Sequence, residues 1–132
     1  MFIKRKILKQ FHYLVSDFGY KVVERSSSGM TIYVKFHSNN CDIYVYAEGS
    51  FVSLSVIPTD ILGFKDEESK TFEIRHLLDY LAPDLHFKYN ESSNINKELK
   101  RIAALFLEYC KDVIKGDFSI WPALDRKWNR TV

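Results

Sequence analysis

Residues 31–57 read TIYVKFHSNNCDIYVYAEGSFVSLSVI, and the periodicity of this stretch decides the fold. Apolar residues alternate with polar or tyrosine residues in three successive runs, at 30–36, 41–47 and 52–56. Alternation with a period of two is typical of antiparallel strands that bury one face. Turn-forming residues separate the runs, and a further strand is expected near 20–25. The pattern therefore predicts a four-stranded antiparallel meander.

The turns between the runs predict which residues face each other. A two-residue turn at Gly49-Ser50 pairs Glu48 with Phe51. Apolar residues of the third and fourth strands then face each other in three pairs: Ala47 with Val52, Val45 with Leu54, and Ile43 with Val56. A four-residue loop at 37–40 pairs Phe36 with Cys41. A slip of one residue in either hairpin would set apolar positions opposite polar ones, and is therefore disfavoured.

The opposite face of the same strands carries Tyr33, Tyr44 and Tyr46, which we refer to as the tyrosine patch. The predicted register gives three facing pairs: Tyr33 with Tyr44, Thr31 with Tyr46, and Lys35 with Asp42 as an ion pair. Tyrosine is enriched at protein interfaces because it combines a rigid ring with a hydroxyl group. The patch is therefore a candidate interface. Alternatively, the tyrosines only cover the outer face of the sheet or lie under the C-terminal tail.

Residues on both sides of the strands have the three-and-four spacing of amphipathic helices. This spacing predicts helices over 3–18, from Thr71 to the residues before Pro83, and over 94–115, with a polar connection at 83–93. The aromatic tail around Trp121 is expected to dock on the core. The predicted order is α-β-β-β-β-α-α, an α+β fold in which the N-terminal and C-terminal helices pack on one face of the sheet.

Length and composition suit one globular domain over residues 1–132. Of the 132 residues, 46% are hydrophobic and 15% aromatic, so the chain can form a core without disulfides. The charges at Lys4, Arg5 and Lys6 interrupt any apolar signal segment, and no stretch is long and apolar enough for a membrane span. Cys41 and Cys110 lie far apart and outside any CxxC pair. We therefore expect a cytoplasmic protein with two buried thiols.

The sequence lacks the residue patterns that mark common active sites and metal centres. Glu73 and His76 have half of a di-iron ligand spacing, but no second pair accompanies them. Cys41 and Cys110 are predicted to face the core, where thiols are inert. There is no Gly-x-Ser-x-Gly turn and no glycine-rich phosphate loop. The chain is therefore predicted to be non-enzymatic, without cofactor or metal, and a small enzyme with an unfamiliar site stays an alternative.

Charge is unevenly distributed along the chain. Residues 1–35 hold seven basic and two acidic residues, residues 36–91 four and ten, and residues 92–132 eight and five. The acidic middle includes Asp60, Asp66, Glu67 and Glu68, which we refer to as the acidic stretch. Such a division can steer a charged partner, although the basic termini can also simply balance the acidic middle.

A nucleic-acid-associated or regulatory module that uses the basic terminal helices is the alternative function. Aromatic side chains on an open sheet would also suit base stacking. However, no RNP-type sequence accompanies the tyrosine patch, and the acidic stretch would repel phosphates. Nucleic acid is therefore not the expected partner.

The chain resembles small bacterial immunity proteins of toxin–immunity systems, including those of contact-dependent inhibition. The similarity lies in the size, in the order of helix, strands and helices, and in the ending ALFLEYCKDVIKGDFSIWPAL at 104–124. It implies an intracellular protein that binds one cognate toxin and blocks its active site or substrate surface, and it transfers no catalytic residue. Many antidotes to nucleases are strongly acidic, whereas this chain has a net charge of +2. If the toxin is a basic nuclease, the acidic middle of the chain would therefore have to make the contact.

The sequence thus predicts a binding protein whose partner is a cognate toxin protein, and which is a monomer or weak homodimer with no membrane attachment. The residues predicted to bind the partner come from the tyrosine patch, its ion pair and the acidic stretch: Tyr33, Asp42, Tyr44, Tyr46, Asp60, Asp66, Glu67 and Glu68.

Overall fold

The computed structural model describes residues 2–129, with all side chains in this range except those of Phe2 and Ser28. One antiparallel sheet contains five strands in the order β1-β2-β3-β4-β5. The strands are β1 (Lys21–Ser28), β2 (Thr31–His37), β3 (Cys41–Glu48), β4 (Phe51–Pro58) and β5 (Phe72–Glu73). The α+β class and the antiparallel meander are confirmed. The predicted number of four strands is wrong, because β5 pairs with β4 as a short fifth strand.

The two hairpins of the central strands differ in how well their register was predicted. The hairpin between β3 and β4 has every predicted pair. In the hairpin between β2 and β3, Phe36 lies opposite Ile43 and not opposite Cys41. The Ser38 hydroxyl oxygen accepts hydrogen bonds from the backbone N–H groups of Asn40 and Cys41, and the Ser38 N–H donates to the Cys41 carbonyl at 3.0 Å. These bonds close the hairpin around a tighter turn, and the register moves by two residues.

The first strand contains a β-bulge at Val23. Val22 lies opposite Phe36 and Glu24 lies opposite Lys35, so one extra residue separates them. Because of this extra residue, Glu24 stands on the outer face of the sheet. The strand ends in a turn at Gly29 and Met30, and Met30 is 76% exposed, although the alternating pattern places it in the next strand.

The helices are α1 (Phe2–Gln10), α2 (His12–Ser16), α3 (Ile74–Leu81), α4 (Ile95–Tyr109), α5 (Lys111–Ile114) and α6 (Trp121–Leu124), with a 3₁₀ turn at Pro83–Leu85 and a π-helical turn at Asp125–Asn129. The helices predicted over 3–18 and 94–115 are thus interrupted, at Phe11 and at Cys110. At the first interruption the Leu14 N–H donates to the carbonyl of Phe11, three residues back, which tightens the chain locally. The predicted order α-β-β-β-β-α-α is therefore not confirmed in that form.

The helix after the fourth strand begins later than predicted. Thr71, the predicted N-cap, precedes β5, and the observed N-cap is Glu73. Glu73 and His76 form a reciprocal capping box, in which His76 Nδ1 accepts a hydrogen bond from the Glu73 backbone N–H at 3.1 Å. The spacing of these two residues therefore serves to start α3, which ends before Pro83 as predicted.

The helices pack on one face of the sheet. α1 contacts β2, α4 contacts β4, and α1 also contacts α4. Large side chains from both layers are completely buried between them, among them Ile7, Phe11, Phe36, Val45, Leu54, Ile102 and Phe106. The expected docking of the tail is confirmed, because Trp121 is fully buried and its indole N–H donates to the carbonyl of Lys70 at 2.8 Å. Cys41 and Cys110 are buried free thiols, as predicted.

Candidate functional site

Two members of the tyrosine patch lie side by side on the outer face of β2 and β3. The rings of Tyr33 and Tyr44 have centroids 5.9 Å apart, and both side chains are partly exposed. They are diagonal neighbours, because the register sets Tyr33 opposite Tyr46 and Lys35 opposite Tyr44. The predicted facing pairs are therefore wrong. A shift of two residues nevertheless keeps each side chain on its face of the sheet, so the predicted contact between Tyr33 and Tyr44 forms.

A charged group borders these two rings. Lys35 Nζ lies 5.3 Å from the centroid of the Tyr44 ring and 3.7 Å from Oδ2 of Asp42. A hydrogen bond with Tyr44 raises the pKa of Lys35, and the charge of Asp42 adds to this effect. Asp42 also lies within hydrogen-bond distance of His37, 2.6 Å from its Nδ1. The predicted ion pair between Lys35 and Asp42 therefore forms on a diagonal, with His37 as an unpredicted third member.

Glu24 completes the open part of the outer face. The hydroxyl group of Tyr33 donates a hydrogen bond to the Glu24 carboxylate across the β1–β2 pair. This bond raises the pKa of Tyr33, because it stabilises the protonated phenol. Glu24 was missed from the sequence because the bulge at Val23 shifts the alternation in this strand. A polar residue next to a break in alternation is the one signal that points to it.

Tyr46, the third member of the tyrosine patch, has a different environment. Its ring lies 6.2 Å from that of Phe51, which in turn lies 4.8 Å from the ring of Tyr89. Burial raises the pKa of the Tyr46 hydroxyl. Tyr46 therefore stands where the open part of the outer face meets a covered part.

Residues 86–91, which we refer to as the strap, cover the outer face near β4. The Tyr89 hydroxyl donates to Glu73 Oε1 at 3.0 Å and lies 2.8 Å from the hydroxyl of Ser53, which is completely buried. The Arg101 guanidinium donates to the carbonyl of Lys88 at 2.8 Å. The sequence predicts only a polar connection here. Its two aromatic residues, Phe87 and Tyr89, pack edge to face with ring centroids 5.0 Å apart.

The acidic stretch lies on a different part of the molecule. Asp66, Glu67 and Glu68 are exposed in the connection between β4 and β5. Asp66 Oδ1 accepts the backbone N–H of Ser69 at 2.8 Å, and this bond lowers the pKa of Asp66. The carbonyl of Ser69 accepts a hydrogen bond from Asn129, which ties this loop to the C-terminal segment.

Asp60 stands apart from the other acidic residues. It is exposed and lines a shallow cleft with Asn39, Asn40, Gly116 and Phe118, at the end of the β2–β3 hairpin. The structure therefore brings Tyr33, Tyr44 and Asp42 together and sets Tyr46 at the edge of the strap, whereas Asp66, Glu67 and Glu68 belong to the connection between β4 and β5.

A cluster of metal ligands or a reactive thiol would indicate chemistry beyond binding. Among residues 2–129, no group of three or more His, Cys, Asp and Glu side chains is placed to hold a metal ion. Burial raises the pKa of both thiols, to about 12 for Cys110. Neither thiol is a nucleophile at neutral pH. None of the helices in the described part of the chain is long and apolar enough to cross a membrane.

Comparison with known proteins gives no relative from which a residue role could be transferred. No protein-family model matches the chain, and no curated protein or solved structure is detectably similar to it.

Proposed function

We propose that this chain is a non-enzymatic protein-binding module, specifically an immunity protein that neutralises a cognate bacterial toxin domain by blocking its active site. The observation that carries this proposal is the open outer face of β2 and β3, where the rings of Tyr33 and Tyr44 pack against each other beside the Lys35–Asp42 ion pair. Two partly exposed aromatic rings with charged neighbours have the composition of a binding hot spot.

The contacts within this face favour tight binding, because they hold the side chains in place before a partner arrives. Tyr33 is held by Glu24, and Tyr44 is held between Tyr33 and Lys35. Side chains that are already ordered lose less conformational entropy on binding. Each tyrosine can therefore contribute its buried area to affinity at low entropic cost.

The acidic stretch has a separate role in the proposal. Asp60, Asp66, Glu67 and Glu68 are exposed in the connection after β4, whereas Tyr33 and Tyr44 lie on β2 and β3. Carboxylates at the periphery of an interface mainly accelerate association with a basic partner, and this effect decreases as salt screens the charges. We assign the acidic stretch to steering and the tyrosines to the lifetime of the complex.

The proposal is tested with the polypeptide encoded directly before this gene, because an immunity gene normally follows its toxin gene. The toxin domain is expressed from an inducible promoter in cells that carry the wild-type protein or the Tyr33→Ala/Tyr44→Ala variant. We expect the wild type to restore growth and the double variant to fail at matched protein levels. A Glu67→Gln/Glu68→Gln variant serves as the peripheral control, and we expect it to protect at high expression.

Two outcomes contradict the proposal. Full protection by the double tyrosine variant places the interface elsewhere on the molecule. Absence of protection by the wild type, when the neighbouring polypeptide is toxic, excludes the immunity role for that pair.

A further inference from the structure

The helical layer carries a group of cations in two chain segments without exposed acidic residues, and these segments are flanked by the exposed Asp17, Glu91 and Glu108. Residues 2–16 contain no Asp or Glu, and residues 92–107 contain only Glu98. Glu98 is completely buried, and its carboxylate accepts a hydrogen bond from Arg101 Nε at 2.9 Å. The remaining cations of these two segments form what we call the basic patch: Lys4, Arg5, Lys6, Lys9, Lys97 and Lys100.

Arg5 and Lys9 of α1 and Lys97 and Lys100 of α4 point away from the sheet. On α1, Ile7 is buried in the core, whereas Arg5 and Lys9 are exposed on the opposite side of the helix. On α4, Leu99 is buried, whereas Lys97 and Lys100 are exposed. Both helices therefore present cations on the solvent side of the helical layer.

These two rows of cations belong to one surface. α1 contacts α4, and the hydroxyl of Tyr13 donates to the carbonyl of Ala103 at 2.8 Å. Lys9 lies about one helical turn before Tyr13, and Lys100 lies about one helical turn before Ala103. The Tyr20 hydroxyl donates to the carbonyl of Ile114 at 2.7 Å, which is a second contact between the two segments. Lys97 and Lys100 belong to the helix that packs beside α1.

The charges of the basic patch are not neutralised within the described part of the chain. The ion pairs among residues 2–129 use Lys35, His37 and Arg101, and none uses a member of the patch. The acidic stretch lies in the connection after β4, whereas α1 packs over β2. The acidic stretch is therefore not part of either helix that carries the basic patch.

We propose that the basic patch binds the phosphodiester backbone of a double-stranded nucleic acid without sequence specificity. Phosphates spaced along a duplex complement a surface of several cations without intervening carboxylates. Insertion into an anionic membrane requires large apolar side chains on the exposed side of the helix, but the described apolar residues of α1 face the core or its edge. None of the described Phe, Tyr and Trp side chains of α1 and α4 is exposed, and single strands are usually bound by stacking on exposed aromatic rings.

The proposal is tested by fluorescence anisotropy with labelled 20-base-pair DNA and RNA duplexes of random sequence, titrated with full-length protein between 25 and 300 mM KCl. We expect saturable binding in low salt to at least one duplex. If all six cations contact phosphates, the logarithm of the association constant decreases with the logarithm of the salt concentration with a slope of about −5. The two duplexes show whether the backbone of DNA, of RNA or of both is accepted.

Two variants with the same change in net charge locate the binding surface. In the first, Arg5, Lys9, Lys97 and Lys100 are replaced by Gln. In the second, four exposed lysines on other elements are replaced by Gln: Lys21, Lys65, Lys88 and Lys115. We expect the first variant to bind at least tenfold more weakly and with a slope reduced by about 3 to 4, and the second to remain within about threefold of wild type.

Three outcomes overturn the proposal: no binding to either duplex at 25 mM KCl, equal loss in the two variants, or binding to vesicles of phosphatidylglycerol and phosphatidylcholine with no binding to duplexes. The first variant leaves the tyrosine patch intact. Its protection against the toxin is therefore measured in parallel, so that failure of this proposal and failure of the immunity role are distinguishable.

Discussion

Gly116 joins the end of the helical layer to the β2–β3 hairpin. Its φ angle is +100°, and a Cβ atom at this position would lie 2.5 Å from Nδ2 and 2.7 Å from Cγ of Asn40. Gly63 has a similar φ angle of +90° but no atom within 4 Å of such a Cβ. Gly63→Ala therefore costs only backbone strain, about 1–2 kcal/mol. Gly116→Ala costs the same strain and also displaces Asn40.

We expect urea unfolding to give a larger loss of unfolding free energy for Gly116→Ala than for Gly63→Ala. The double variant Asn40→Gly/Gly116→Ala removes the steric conflict. After the effect of Asn40→Gly alone is subtracted, its loss of unfolding free energy is expected to be close to that of Gly63→Ala. Equal losses in the two single variants would show that the contact between Gly116 and Asn40 is loose.

His76 couples the stability of the fold to pH. Burial and the charge of Arg75 lower the pKa of His76 from its ordinary value of 6.5. The unfolded chain therefore binds a proton at a higher pH than the folded chain does. The contribution of His76 to the free energy of unfolding is complete above about pH 6.5. It decreases as the pH falls toward the pKa of His76 in the folded protein. Protonation of Nδ1 would also remove the acceptor for the Glu73 N–H in the capping box.

The predicted loss is measured as the urea midpoint between pH 7.5 and 5.0 for the wild type and for His76→Gln. We expect the wild type to lose more stability than the variant over this interval, because Gln does not titrate and the other histidines are common to both proteins. Parallel pH profiles of the two proteins would contradict the assignment.

The strap is fixed to the sheet in part by the contact between the hydroxyl groups of Tyr89 and Ser53. Tyr89→Phe removes one partner of the completely buried Ser53 hydroxyl and the donor to Glu73 Oε1, and an unsatisfied buried group costs about 1–3 kcal/mol. Tyr80→Phe is the control, because Tyr80 is 40% exposed on α3. We expect Tyr89→Phe to lower the unfolding free energy in this range and Tyr80→Phe to leave it within about 0.5 kcal/mol.

A double-mutant cycle with Ser53→Ala identifies the contact. Removing both hydroxyls leaves neither one buried without a partner, so the double variant should be more stable than the sum of the two single losses implies. Strict additivity would mean that the two hydroxyl groups do not interact.

The strands show which structural features a sequence pattern can specify. The β3–β4 hairpin was predicted pair by pair, because a Gly-Ser turn of two residues fixes the register. In the β2–β3 hairpin the error is two residues, and alternation with a period of two is the same before and after such a shift. Side-chain faces were therefore predictable, whereas facing pairs depended on the hydrogen bonds of Ser38.

Elements that depend on distant partners were not predictable. β5 has two residues, too few for any period, and exists because Phe72 and Glu73 pair with Val56 and Ser55. The strap has no regular repeat, and His86 and Asn90 have positive φ angles of 50° and 57°. The sequence pattern was therefore sufficient to place Tyr33, Tyr44 and Asp42 on one candidate surface. The partial covering of Tyr46 near the strap is visible only in the tertiary structure.

Considered as one molecule, the protein has two surfaces of different character. The outer face of β2 and β3 offers ordered tyrosines, and the solvent side of α1 and of the first half of α4 offers cations, with the exposed carboxylate of Glu108 at the end of α4. The core lies between these surfaces. Substitutions on one surface are expected to leave binding at the other unchanged, because the substituted side chains are exposed and share no contact across the core.

The central claim, that the outer sheet face is the protein-binding surface, is tested most directly by the dissociation constant of the complex with the neighbouring toxin domain. It is measured by calorimetry for the wild type, for Tyr44→Ala and for Tyr80→Ala, an exposed tyrosine on α3. A tyrosine hot spot contributes about 2 kcal/mol or more, so Tyr44→Ala should weaken binding about thirtyfold or more, while Tyr80→Ala stays within about threefold. A Tyr44→Ala variant that folds and binds like the wild type would contradict the claim.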